Sequence, residues 1–125
     1  MIMLFGKVEG HQLTENLNTR ELDCKCSHDH CNRTLVHADV APKFEELRSI
    51  LGDIPLTITS GFRCSHHNYD VGGKDLSRHT AGMAIDIKCP DGVNFERFYR
   101  ACCAVFPFTL AYRNLKFCHC DIDRR

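Results

Sequence analysis

The chain carries no excess of either charge: 16 Lys and Arg side chains balance 16 Asp and Glu over 125 residues. Nor does any basic stripe run along a predicted helix, so there is no electrostatic footprint for nucleic acid. Long hydrophobic runs are missing too. The amino-terminal MIMLFGKVEG holds an apolar run of only five residues, with no basic flank before it and no small-residue cleavage site. That excludes a membrane span and argues against a secretory leader, so synthesis in the cytosol is expected. No repeat, low-complexity tract or Pro/Ser-rich linker divides the sequence. A single domain over residues 1–125 is expected, with an irregular Cys/His-rich elaboration at 1–38 and a catalytic core at 39–125. A chain of this length with 43% hydrophobic residues can bury a core.

Cysteine, by contrast, is abundant, at nine residues. In a secreted protein this would suggest a disulfide framework, but the count is odd and no export signal is evident. Cys89, Cys118 and Cys120 fall on apolar strand faces, where a thiol behaves as a small hydrophobe. Cys102 faces inward on a predicted helix. Cys24, Cys26 and Cys31 follow no standard zinc-finger spacing, although His28, His30, His37 or Cys64 could complete a set of four. A second structural zinc, a disulfide and free thiols all stay open for this group, and none of its members is counted as a metal ligand.

LTENLNTREL suggests a short helix capped by Thr14 or Asn16. From Asp39 the pattern sharpens: Pro42 suits a first turn, Phe44, Leu47 and Leu51 recur at helical spacing, and Gly52 can end the helix. PLTITS predicts a strand leading into a polar loop, GFRCSHHNYDVGG. MAIDIKC predicts another strand. A second helix is expected from about Val93 to Val105, stopped by Pro107, and FTLAY and KFCHCDID predict two closing strands. Without a repeated βαβ rhythm, the class is α+β: a small antiparallel sheet with flanking helices.

The chemistry centres on SRHTAGMAIDIK. His79 and Asp86 are seven positions apart; on one continuous helix they would lie about 10 Å apart along the axis, and on one strand about 23 Å apart on opposite faces. A bend at Gly82 can bring them together. The pleat sends Asp86 away from the apolar face of MAIDIKC, and His119, Asp121 and Asp123 away from that of FCHCDID. If the two strands are neighbours, Asp86 and His119 approach each other and the turn before Gly82 swings His79 in. Two imidazoles and a carboxylate form an open zinc set with a fourth position for water.

These residues carry a resemblance. SGFRCSHHNYDVGG, SRHTAGMAID and FCHCDID resemble the zinc D-Ala-D-Ala carboxypeptidase and L-alanyl-D-glutamate endopeptidase family, whose fold is shared with the signalling domain of hedgehog proteins. The family motif SxHxxGxAxD is met by Ser77, His79, Gly82, Ala84 and Asp86, and LTENLNTRELDCKC is similar to the lead-in of phage-encoded members. The resemblance implies a zinc peptidase of the cell wall, an endolysin or virion-associated lysin, with Zn2+ on His79, Asp86 and His119. It implies a peptidoglycan stem peptide as partner, no nucleic acid or membrane, and a monomer acting at the cell wall after release or in a virion. Asp121 is the candidate general base, or else a residue that orients an imidazole. Arg63 is expected to stabilise an oxyanion or bind a substrate carboxylate. His67, Asn68 and Ser77 complete the expected substrate contacts, and His66 is read as loop-shaping or substrate-facing. A non-catalytic binding module of the same fold is the alternative, and a small metal nuclease, suggested by HHN, is a weaker one.

Overall fold

The computed structural model describes residues 1–74 and 77–123. Its centre is a four-stranded antiparallel sheet in the order β5-β6-β8-β7, built from Ile58–Ser60, Ala84–Lys88, Phe117–Asp121 and Phe108–Tyr112 respectively. Strict alternation gives this sheet one oily face. Ile85, Ile87, Cys118 and Cys120 are buried there and join Phe44, Leu47, Phe98 and Cys102 in one core. The last four come from two helices, α1 at Val40–Ile50 and α3 at Phe95–Val105, which pack on each other. The α+β expectation is met, and no helix among the described residues is long and apolar enough to cross a membrane.

Both long helices form where the periodicity places them. Helix α1 ends at a Leu51 cap, with Gly52 following at φ 91°. Helix α3 starts at Phe95, not Val93, because the Asn94 side chain accepts from Arg97 N and sets the cap there. Phe106 leaves helical geometry directly before Pro107.

Three expectations fail. The stretch 1–38 is more regular than expected: β1 at Ile2–Gly6 pairs antiparallel with β4 at Arg33–His37. LTENLNTREL holds no α-helix capped at Thr14 or Asn16. It forms two very short paired strands, β2 at Gln12–Thr14 and β3 at Leu17–Asn18, followed by a 3-10 turn over Thr19–Leu22. Asn18 and Glu21 close that turn as a reciprocal capping box. GFRCSHHNYDVGG is not all loop either, because Ser65–Asp70 makes a short helix, α2, whose N-terminus is capped by the Cys64 side chain.

Candidate metal centre

The bend expected at Gly82 is present. The 77–82 segment is a run of turns in which Gly82 N and Met83 N bond to His79 O and Arg78 O. Gly82 sits at φ +71°, and a Cβ there would lie 2.5 Å from Leu35 O, so the turn can rest against β4 only with glycine at this position. His37 N then donates to Gly82 O at 2.8 Å. Pinned in this way, the turn delivers His79 over the polar face of the sheet. There Asp86 and His119 stand directly opposite each other as a β6/β8 register pair.

Three atoms converge. His79 Nε2 is 3.0 Å from Asp86 Oδ1, His119 Nδ1 is 3.1 Å from that same oxygen, and the two ring nitrogens are 3.2 Å apart. The protons on these rings are engaged elsewhere. A carbonyl only accepts, so His79 Nδ1–H must donate to Gly61 O at 2.8 Å. A carboxylate likewise accepts, so His119 Nε2–H donates to Asp121 Oδ2 at 2.9 Å. Each neutral imidazole is left with a bare lone pair aimed at an anionic oxygen. Three acceptors crowded without a donor repel one another unless a cation lies between them. A tetrahedral zinc with N and O ligands has ligand–ligand edges of about 3.3–3.4 Å. The donor set, its spacing and its tautomers fit such an ion.

The local field points the same way. Where no ion is bound, burial pushes the Asp86 carboxyl up, but protons that His119 and His79 lend it when they are charged outweigh that and hold it at about 2; a cation between the three atoms would serve this anion in place of those protons. Burial pushes His119 down, and the Asp121 and Asp86 carboxylates more than offset it, so its pKa lies above the ordinary 6.5.

These side chains form the floor of a cleft of about 390 Å³. Arg63 lines it, held in place by bonds from Nε to Ser60 Oγ at 3.1 Å, Nη1 to Asn68 Oδ1 at 3.3 Å and Nη2 to Asp86 Oδ2 at 3.4 Å. Ser77 lines it as well, and its Oγ accepts from His79 N. Asn68 and His67 lie outside the lining. Asn68 is buried, with Nδ2 donating to Lys74 O, so it braces Arg63 from behind instead of meeting a ligand. Asp121 also stands apart from the cleft: it is 0% exposed, and Oδ1 accepts from Asp123 N. With no surface on the cleft and a bond from His119 Nε2–H, its position fits the orienting alternative.

Sequence reasoning overlooked the apolar wall. Phe108, Leu110, Tyr112 and Phe117 line one side of the cleft. The signal was present in FTLAY, whose large residues alternate with Thr109 and Ala111 and so share one face.

A family model described as Peptidase M15 matches residues 14–121, most of the chain and all of the convergent site. The chain belongs to the peptidase M15 family. Over 45 residues the chain is 42% identical to the zinc D-Ala-D-Ala carboxypeptidase of Streptomyces albus G, a match that covers 36% of this chain and 18% of that relative.

Proposed function

We propose that this M15 peptidase hydrolyses peptide bonds in peptidoglycan stem peptides, with zinc held by His79 Nε2, Asp86 Oδ1 and His119 Nδ1. The observation that carries the reading is the convergence of those three proton-free acceptors at 3.0 to 3.2 Å. Bound there, the ion supplies Lewis acidity, polarising the scissile carbonyl and lowering the pKa of water from about 15.7 toward 7. The protein supplies the rest. Gly61 O and Asp121 fix the two imidazole tautomers so that the correct nitrogens face the floor of the cleft. Arg63, braced on three sides, presents a preorganised cation to a substrate carboxylate or a developing oxyanion. The Phe108, Leu110, Tyr112 and Phe117 wall keeps one side apolar and suits the small methyl side chains of a stem peptide.

The name of the Streptomyces relative supports a D,D-bond as the target. The resemblance to phage-encoded members supports action as an endolysin or virion-associated lysin. Mass spectrometry of muropeptides after digestion, with and without chelator, tests the reading. The expected result is new amino and carboxyl ends at one bond, abolished by chelator and by His79→Ala. Binding to cell wall without new ends would instead identify a non-catalytic module.

A further inference from the structure

The fold gathers a second convergent set outside the cleft lining. Cys24 and Cys26 follow the 3-10 turn, Cys31 precedes β4, and Cys64 caps α2. Their four sulfurs all lie within 4.8 Å of one another. Cys24 and Cys64 Sγ are 3.8 Å apart, and Cys26 and Cys64 Sγ 3.7 Å. A tetrahedral zinc with Zn–S bonds of about 2.3 Å has sulfur–sulfur edges of about 3.8 Å. A disulfide would require about 2.05 Å. The spacing is therefore that of ligands around one ion, not of bonded pairs, and all four cysteines are free thiols.

The surroundings suit thiolates. Cys64 N donates to Cys24 Sγ and His67 N donates to Cys64 Sγ, both at 3.4 Å. Lys7 reaches across from just beyond β1, its Nζ 3.7 Å from both Cys26 and Cys31 Sγ. Four thiolates around a divalent ion leave two net negative charges, which this ammonium and these amide hydrogens offset in part. Full ligation by protein sulfur leaves no open position, which is the mark of a structural zinc site and not a catalytic one.

We propose that Cys24, Cys26, Cys31 and Cys64 bind a second, structural zinc ion that clamps the amino-terminal segment to α2 and so steadies Arg63, the neighbour of Cys64. The clamp stands or falls independently of the peptidase reading. His28, His30 and His66 form a rival donor set beside it, with ring centroids 4.5 to 5.3 Å apart, but they are more exposed and supply three donors where the cysteines supply four.

Metal analysis of the full chain tests the clamp. Wild type should carry about two zinc ions per chain, and His79→Ala and Cys26→Ser about one each. Should Cys26→Ser fail to fold, His79→Ala loaded with cobalt(II) still decides the matter. A thiolate-to-cobalt charge-transfer band with tetrahedral visible bands is expected, together with an all-sulfur first shell by zinc X-ray absorption. Three results would overturn the proposal: His79→Ala with no bound metal and with Cys24, Cys26, Cys31 and Cys64 all open to a thiol reagent, disulfides among these four in the freshly purified chain, or a nitrogen-rich shell that disappears with His28→Ala and His66→Ala. Loss of peptidase activity with the sulfur-bound ion intact would sink the function proposed above and leave this one standing.

Discussion

Replacing Asp121 by Asn separates an orienting carboxylate from a proton acceptor. Asp121 accepts at both oxygens, from His119 Nε2–H at 2.9 Å and from Asp123 N at 3.0 Å. Asparagine is nearly isosteric but offers one acceptor and one donor, so one of these bonds must become a donor–donor contact. If the amide oxygen turns toward Asp123, His119 relieves the clash by moving its proton to Nδ1, the atom that should face the metal. If the oxygen turns toward His119, the part-buried Asp123 N–H loses its partner at a cost of about 1 kcal/mol in stability.

Loss of an outer partner of this kind weakens metal binding by about 10–100-fold, or roughly 1.4–2.7 kcal/mol. Competition with a fluorescent chelator gives the zinc affinity of wild type and Asp121→Asn. Hydrolysis is then measured at saturating zinc. An orienting role predicts weakened affinity, with kcat largely recovered once the site is loaded. A general base predicts the reverse: affinity within about twofold of wild type and kcat lowered by about 100–10,000-fold even when loaded. That second pattern would refute the orienting role and show that Asp121 reaches the reaction.

Three further outcomes follow from the same geometry. Arg63→Lys keeps the charge but cannot span Ser60, Asn68 and Asp86 together, so kcat/KM should fall about 10-fold or more with little change in Tm; unchanged kinetics would remove Arg63 from the site. Gly82→Ala places a methyl 2.5 Å from Leu35 O at positive φ and should destabilise the chain by about 2 kcal/mol or more, read by denaturant unfolding. Glu45 accepts from Asn16 N and Nδ2 at 2.8 Å each; burial pushes its carboxyl up, but the Thr14 hydroxyl, these two bonds and the Arg48 charge together hold its pKa below the ordinary 4.5. Its stabilisation is thus full above pH 4.5 and lost as pH falls through the lower folded value. Glu45→Gln should cost about 1 kcal/mol at neutral pH and converge with wild type under acid, by unfolding at a series of pH values.

The parts of the fold that were legible are those governed by short periods. Two-residue alternation in MAIDIKC and FCHCDID assigned every residue from Ile85 to Ile87 and from Cys118 to Cys120 to the correct face, and the 3.6-residue period located α1 and α3. The convergence of His79, Asp86 and His119 needed one more step, the neighbouring of β6 and β8, which the pattern allowed but could not compel. The amino-terminal third resisted because its order is non-local: the partner of Phe5 is Thr34, and nothing within a few residues of either announces the pairing. Helix α2 was hidden for another reason. Its six residues SHHNYD carry no apolar period, and only Asn68 is buried.

The same non-locality explains why the sequence left the cysteines open. C-x-C-x4-C supplies three sulfurs from one stretch, and the fourth comes from Cys64, 40 positions on from Cys24 with its sulfur 3.8 Å away. No spacing rule reaches that far. What favours Cys64 over His28, His30 and His37 is the entry of α2: its N-cap holds the thiol beside the other sulfurs, where His67 N donates to it. Arg63 leaves the opposite side of that same turn toward Asp86. A six-residue helix has too few internal hydrogen bonds to hold this geometry by itself. The side chains on either side of the 63–64 peptide therefore depend on anchors outside the helix, and a sulfur clamp on one side would limit how far the guanidinium on the other can wander from the cleft.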